Sequence, residues 1–288
     1  MAEDFDRRVI EQFPAEGGRV DGFNLPLLLL TVAGRRTGRP RTTPLAYRED
    51  GGRYLVFASN GGSPQHPWWY RNLLAAGGGT AEVPDGEGGT SVLSVRPVLL
   101  EGAERARQFA AQAADAPAFA DYARRTDRTI PVVALHPLDL AADPRLAGAV
   151  LARLRLHHED LRRQLADLRD RLEQAEGFSG SDLAARLRER CLSFCYGLDL
   201  HHRRAEGAFT AFEQRYPPLI PALARLRVEH RTVADALARF ETRLADPATA
   251  ADPAALRAEL DRLTTGLETY FAHEEEQLTI PPAPHPER

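Results

Sequence analysis

The sequence predicts a two-domain chain: a small antiparallel β-barrel followed by an up-down four-helix bundle. Three observations carry this. The 288 residues exceed the roughly 100–200 of a usual single domain. Near residue 140 the composition changes from short β-like runs, punctuated by Gly and Pro, to long Leu/Ala/Arg/Glu stretches. After that change the apolar residues recur at three and four, the period of a helix face.

The first half opens with an amphipathic segment around Phe5 to Phe13. Strand candidates follow at 27–32 (LLLLTV), 43–49 (TPLAYRE), 54–59 (YLVFAS), Thr80 to Val83, and 91–100 (SVLSVRPVLL). Gly34, Gly38, Gly51-Gly52, Gly61-Gly62 and Gly86 to Gly89 mark the turns between them. A helix is expected from about Gly102 to Ala114 and another across Phe119 to Arg125, before a last strand at 130–137 (IPVVALHP). Mostly antiparallel strands with few helices imply a barrel. His136 to Gly148, rich in Pro, Asp and Ala, reads as a linker or the lead-in to a helix. The expected domains are therefore 1–140 and 145–280.

Helical stretches are expected at about 145–175, 181–215, 219–244 and 253–278. In the first, Leu154, Leu161, Leu165, Leu168 and Leu172 form a stripe. Ser181 and Asp182 can cap the second, Pro217, Pro218 and Pro221 separate it from the third, and Asp252-Pro253 starts the fourth. Short connections make neighbours antiparallel, which gives the bundle.

Bulk chemistry excludes several classes. A net charge of −4 with 27% charged residues argues against nucleic acid as a partner. The acidic, polar start (MAEDFDRR) has no secretory signal, and the longest apolar run, Leu25 to Val32, is broken by Pro26 and Thr31. It is too short to span a bilayer, so a cytoplasmic protein is expected. Cys191 and Cys195 lie on one helix face and read as small buried hydrophobes, with a redox role the alternative. The dominance of Ala, Arg, Gly and Leu suits a GC-rich, actinobacterial genome.

Two constellations carry chemistry. In the first, Thr31 to Thr43 joins two strands through Gly34 and Gly38, with Arg35, Arg36, Arg39 and Arg41 beside Thr37, Thr42 and Thr43. Guanidinium forks, hydroxyls and turn amides suit phosphate; a solvated basic hairpin is the plainer reading. Downstream, Ala58 to Leu73 holds both tryptophans of the chain beside a Gly-Gly loop, which suits a flat heterocycle or a packed helix start.

These blocks, TxxGRRTGxxRTTP, ASxGGxPxHPxWYxNL and YxxRTxRxIPVVxLxP, resemble the deazaflavin-dependent nitroreductase family over about residues 20–137. The resemblance implies a split β-barrel of the FMN-binding-like type. It also implies deazaflavin coenzyme F-420 (or FMN) as cofactor and hydride transfer to nitroaromatics, quinones or related acceptors. Carried over by position, Arg35, Arg36, Thr37, Arg41 and Thr43 hold the coenzyme phosphate or tail. Ser59, Asn60 and Gly61 line the ring, Trp69 occupies the family's tryptophan position, and Tyr122 faces the acceptor. Two positions depart: the family usually has Lys at Asn60 and often Tyr at Phe119.

In the second constellation each helix of the second half supplies histidine: His157-His158, His201-His202 with Glu206, His230, and His273 with Glu274, Glu275, Glu276 and Tyr270. Positions i and i+4 share a face, so His202 with Glu206 and Tyr270 with Glu274 can point inward together. A core ringed by imidazole and carboxylate is what iron favours. Without metal such groups are costly to bury.

The blocks LHHEDLRRQL, LHHRRAEGAF, LRVEHRTVADAL and YFAHEEEQL resemble the hemerythrin-like HHE cation-binding family over about residues 150–280. The resemblance implies a diiron centre with candidate ligands His158, His201 or His202, Glu206, His230 and Glu274. In the common register His201 would pair with Ala205, whereas only His202 with Glu206 keeps the i, i+4 spacing. The usual helix-four histidine falls at Tyr270, a candidate phenolate ligand or hydrogen-bonding neighbour. His273, three residues on and about 60° short of a full turn, is a candidate ligand or an outer residue.

Three functions follow. The first is an iron-dependent redox enzyme: the bundle activates oxygen or peroxide, and the barrel binds coenzyme or a small-molecule substrate. Tyr122 and Tyr270 are its catalytic candidates. The second is a deazaflavin-dependent nitro or quinone reductase with an iron-, oxygen- or nitric-oxide-sensing module. The third is a non-catalytic binding protein. A homodimer is compatible with each.

Overall fold

The computed structural model describes residues 2–175, 181–245 and 253–278. The chain folds as two compact units, the first built on Met1–Asp139 and the second beginning at Leu140.

The first unit is a closed barrel of β1 (Leu27–Ala33), β2 (Pro40–Asp50), β3 (Arg53–Phe57), β4 (Gly79–Pro84), β5 (Thr90–Leu100) and β6 (Val132–Pro137). The order around the barrel is β1-β2-β3-β6-β5-β4, and every pair is antiparallel. The helices are α1 (Ala2–Ala15), α2 (Trp68–Ala76), α3 (Gly102–Asp115) and α4 (Ala118–Arg124). Each expected strand and helix of this half is present, within a few residues at its ends.

The unbroken apolar run of β1 has a simple cause. Side chains alternate across a strand, and here both faces are covered. Leu28, Leu30 and Val32 join Tyr47, Val56, Val83, Val95, Val133 and Leu135 in a core drawn from all six strands. Leu27 and Leu29 turn the other way and pack with Val9 and Phe13 of α1. The same division runs through β3 and β6. Leu55, Phe57, Val132 and Ala134 face outward, beneath Phe119 and Phe109 of α4 and α3. The β2–β3 hairpin turns on Gly51 and Gly52, both at positive φ, which suits a two-residue turn.

The second unit contains α5 (Arg145–Ala175), α6 (Ser181–Arg215) apart from Glu206–Ala211, α7 (Ile220–Ala245) and α8 (Pro253–Gln277). A short 3-10 turn at Pro217–Leu219 breaks α6 from α7, where the prolines remove helical N–H donors. Spacings of three and four set the buried faces. On α5 they are Leu151, Leu154, His158, Leu161, Leu165 and Leu168; on α7, Leu223, Leu226, His230, Val233, Leu237 and Phe240. On α8 they are Leu260, Leu263, Leu267, Tyr270, Glu274 and Leu278. The polar residues therefore occupy core positions of otherwise apolar stripes. The Leu172 side chain and the caps at Ser181 and Asp182 lie outside the residues whose side chains are described. Among the described residues no helix is long and apolar enough to cross a membrane.

Candidate functional site

In the barrel, the basic turn between β1 and β2 is closed by two backbone bonds: Gly34 N–H to Arg39 O (2.9 Å) and Gly38 N–H to Gly34 O (2.7 Å). Gly38 has φ +68°, a value that disfavours a side chain. Arg35, Arg36, Thr37, Arg39 and Arg41 are exposed, and Thr43 is buried in β2. The Arg41 guanidinium lies 4.5 Å over the ring of Trp68, a cation–π contact. Trp68 is half-buried, whereas Trp69 is buried within the barrel core beside Leu73. The tryptophan with a partly open ring is thus Trp68.

The loop after β3 is shaped by backbone conformation. Asn60 is the one non-glycine at positive φ (+50°) among the described residues, and its side-chain amide donates to Gln65 O at 3.0 Å. Gly61 faces open space, whereas a Cβ on Gly62 would stand 2.8 Å from Arg125 Cβ and 2.9 Å from Tyr122 O. Only glycine lets this loop approach α4 so closely. Ser59 is buried, and Tyr122 is half-buried, its ring edge-on to Phe119 at 5.5 Å.

Sequence reasoning assigned no role to Arg128, yet it holds this loop together. It donates to Ala58 O (3.0 Å), Ser59 O (2.7 Å) and Ser63 O (2.9 Å), and contacts His66 Nδ1 at 3.1 Å. Burial, then Arg128 and Arg71, lowers the His66 pKa below its ordinary value, which keeps the ring a neutral partner for Arg128. The RTxR spacing in the third block was the available signal.

In the bundle, His158 Nε2 lies 2.8 Å from Glu274 Oε2 and 3.3 Å from His201 Nε2, and His201 Nε2 lies 3.3 Å from the same carboxylate oxygen. These three residues form a buried group whose ligand atoms fall within 4.8 Å of one another. On the other side of Glu274, His230 Nε2 stands 3.8 Å from Oε1 and meets the Tyr270 hydroxyl in a short contact. The His202 ring lies 4.6 Å from that of His230 and 5.7 Å from that of Tyr270, centroid to centroid. Three buried atoms of this group have no hydrogen-bond partner among the described residues: His201 Nδ1, His202 Nε2 and Glu274 Oε1. Such atoms cost about 1–3 kcal/mol each unless something else satisfies them.

Electrostatics favour ligation. Burial pushes the pKa of His201 down, against the pull of Glu274, and pushes His202 well down, helped by His230 and His201. Burial alone would raise the Glu274 pKa, but the imidazoles of His201, His158 and His230 hold it well below the carboxylate range. Burial thus favours neutral imidazoles at His201 and His202 beside an anionic Glu274, the protonation states a metal needs.

The structure brings together His158, His201, His202, His230, Tyr270 and Glu274. It does not bring in Glu206, which is half-buried outside the group, while Ala205 takes the inward position one turn after His201. His273 is half-buried and bonds Glu229 instead, at 2.8 and 2.9 Å. Glu275, the neighbour of Glu274 on the helix, contacts His158 Nδ1 at 2.7 Å.

Comparison with known proteins agrees with both halves. A family model described as F420H(2)-dependent quinone reductase matches residues 6–137, and one described as Hemerythrin HHE cation binding domain matches residues 149–279. An F420H(2)-dependent quinone reductase of Mycobacterium tuberculosis is 39% identical over 120 residues, covering 41% of this chain and 78% of the relative. A solved F420-H2 dependent reductase is 34% identical and covers 40% of this chain and 100% of its own, with a TM-score of 0.35. A structure described as a domain-swapped dimer is 35% identical over 47% of this chain and 100% of its own, also at 0.35. The chain belongs to the F420H(2)-dependent quinone reductases, a family of oxidoreductases, and carries a hemerythrin HHE domain after its reductase barrel.

Proposed function

We propose that this chain is a two-module redox enzyme. Its barrel binds the reduced deazaflavin coenzyme beside a quinone-type acceptor. Its bundle would hold two irons, which would supply the redox chemistry toward oxygen or peroxide. The observation that carries the reading is the donor set around Glu274. His158 and His201 share its Oε2, while Oε1 and His202 Nε2 are buried with no hydrogen-bond partner among the described residues. Imidazole and carboxylate are donors that suit iron, and a second cation at Oε1 would relieve two costly buried atoms.

On this reading His158, His201 and Glu274 would hold one iron, and His202, His230 and Tyr270, with Glu274, would hold the other. Iron supplies one-electron chemistry and affinity for oxygen. The Tyr270 phenol is held against His230, and a phenolate there would favour the ferric state.

In the barrel, the exposed arginines 35, 36 and 41 with Thr37 suit the anionic part of the coenzyme. The open space at Gly61 leaves room for a ring beside Ser59 and Asn60. The coenzyme supplies a hydride; the chain positions it and the acceptor, with Tyr122 on the acceptor side. Arg128 keeps the Ala58–His66 loop in one conformation throughout.

The first test is the metal content and absorption spectrum of the purified full chain, followed by quinone reduction with reduced coenzyme. Two irons per chain, a phenolate-to-iron band and coenzyme-dependent quinone loss are expected. No iron after anaerobic reconstitution would overturn the bundle reading, and no quinone loss would overturn the barrel reading.

A further inference from the structure

We infer that Glu275 is a positioning residue for the metal centre: it fixes the tautomer and plane of His158, so that Nε2 faces the metal with a free lone pair. The inference rests on the reading that His158 ligates iron. His158 has a carboxylate at each nitrogen: Glu275 Oε1 at 2.7 Å from Nδ1 and Glu274 Oε2 at 2.8 Å from Nε2. A neutral imidazole carries one N–H and can donate to only one of them. With a cation shared by Nε2 and Glu274, the single proton sits on Nδ1 and serves Glu275. A carboxylate that accepts from the far nitrogen of a ligating histidine orients the ring and strengthens it as a donor.

The surroundings hold Glu275 to that task. Arg162 donates to Glu275 Oε1 at 3.2 Å and to Glu268 Oε2 at 2.9 Å, and its guanidinium lies 5.3 Å over the Phe271 ring. Phe271 in turn stacks on His158, with centroids 4.4 Å apart and planes inclined by 21°. One edge of the imidazole is therefore fixed by a tethered carboxylate and one face by a buried ring. Successive residues point about 100° apart around a helix. Glu274 can therefore enter the core while Glu275 reaches the outer nitrogen of the same histidine. Glu276, the next residue, is exposed.

The test titrates the full chain with ferrous iron under anaerobic conditions against a competing chelator. Glu275→Ala is expected to weaken binding by about 10–100-fold. Glu275→Gln, whose carbonyl oxygen can still accept from Nδ1–H, should recover most of that loss, and Glu276→Ala should bind like the wild type. Glu275→Ala affinity within twofold of wild type would overturn the inference, as would Glu275→Gln no better than Glu275→Ala. A measurement that needs no variant uses the zinc-loaded wild type, which is diamagnetic. Nitrogen-15 NMR should show the His158 proton on Nδ1, slowly exchanging; an unprotonated Nδ1 would overturn the role. Failure of the wild type to bind any metal would instead remove the underlying reading.

Discussion

Replacing Tyr270 by Phe separates two roles of one hydroxyl. The ring is buried and packs against His230, His202 and Phe271, so the substitution keeps its apolar contacts. What disappears is the hydroxyl against His230 Nε2. In metal-free protein the lost hydrogen bond and the imidazole left behind should cost about 1–3 kcal/mol. The low end applies if Glu274 Oε1, 3.8 Å from the same nitrogen, swings in to replace it. Chemical denaturation of chelator-treated protein reads this cost in the bundle transition. In iron-loaded protein the visible phenolate-to-iron band should vanish, while an iron at His158, His201 and Glu274 remains. An unchanged band would refute ligation by Tyr270. An unchanged midpoint would refute the structural role of the His230 contact.

Other outcomes follow from the same structure. Arg128→Ala removes three bonds to backbone carbonyls and the contact to His66; because the side chain is half-exposed the loss should be about 2–4 kcal/mol, less than the sum of its bonds. A barrel midpoint shifted by less than about 1 kcal/mol would refute the clamp. His157 is held near pKa 4, mainly by burial and then by Arg204. Since its unfolded value lies near 6.5, the stability it contributes is complete above that pH and drains away as pH falls toward 4. His157→Gln should make the urea midpoint of chelator-treated protein less steep across this window; an equal slope would refute the assignment. Burial pushes the Cys191 thiol up to about 11 and raises Cys195 as well. A disulfide reagent at pH 8 should find no reactive thiol in native protein and both in urea. Rapid native reaction would refute their inertness.

The barrel was legible because its strands carry continuous or alternating apolar residues between glycine turns. The bundle was legible because leucines recur at helical spacing. His158 and His230 were legible as inward residues for the same reason: each fills a gap in a leucine stripe. The register of α6 was not. His201 and His202 differ by about 100° around the helix, and both directions lead into the core once four helices surround it. Only packing separates them, with His201 beside His158 and Glu274 and His202 toward His230. The i, i+4 rule favoured Glu206 because it sees one helix; Ala205, one turn after His201, is the residue that packs inward. The contact of Glu275 with His158 was not legible: three consecutive glutamates do not show which one meets an imidazole, and this partner lies 117 positions earlier in the chain.

The polar residues set into the leucine stripes have a further consequence. Each is a place where the bundle forgoes an apolar contact, and the deficit is concentrated at one level where all four helices meet. Iron bound there would act as a rivet, and a chelator as a selective denaturant. The lifetime of the chain against proteolysis should then track iron supply: a molecule made in scarcity opens more often at this level and is cleared sooner. The same side chains that suit this level of the bundle to a metal would make the abundance of the protein a record of the supply of that metal.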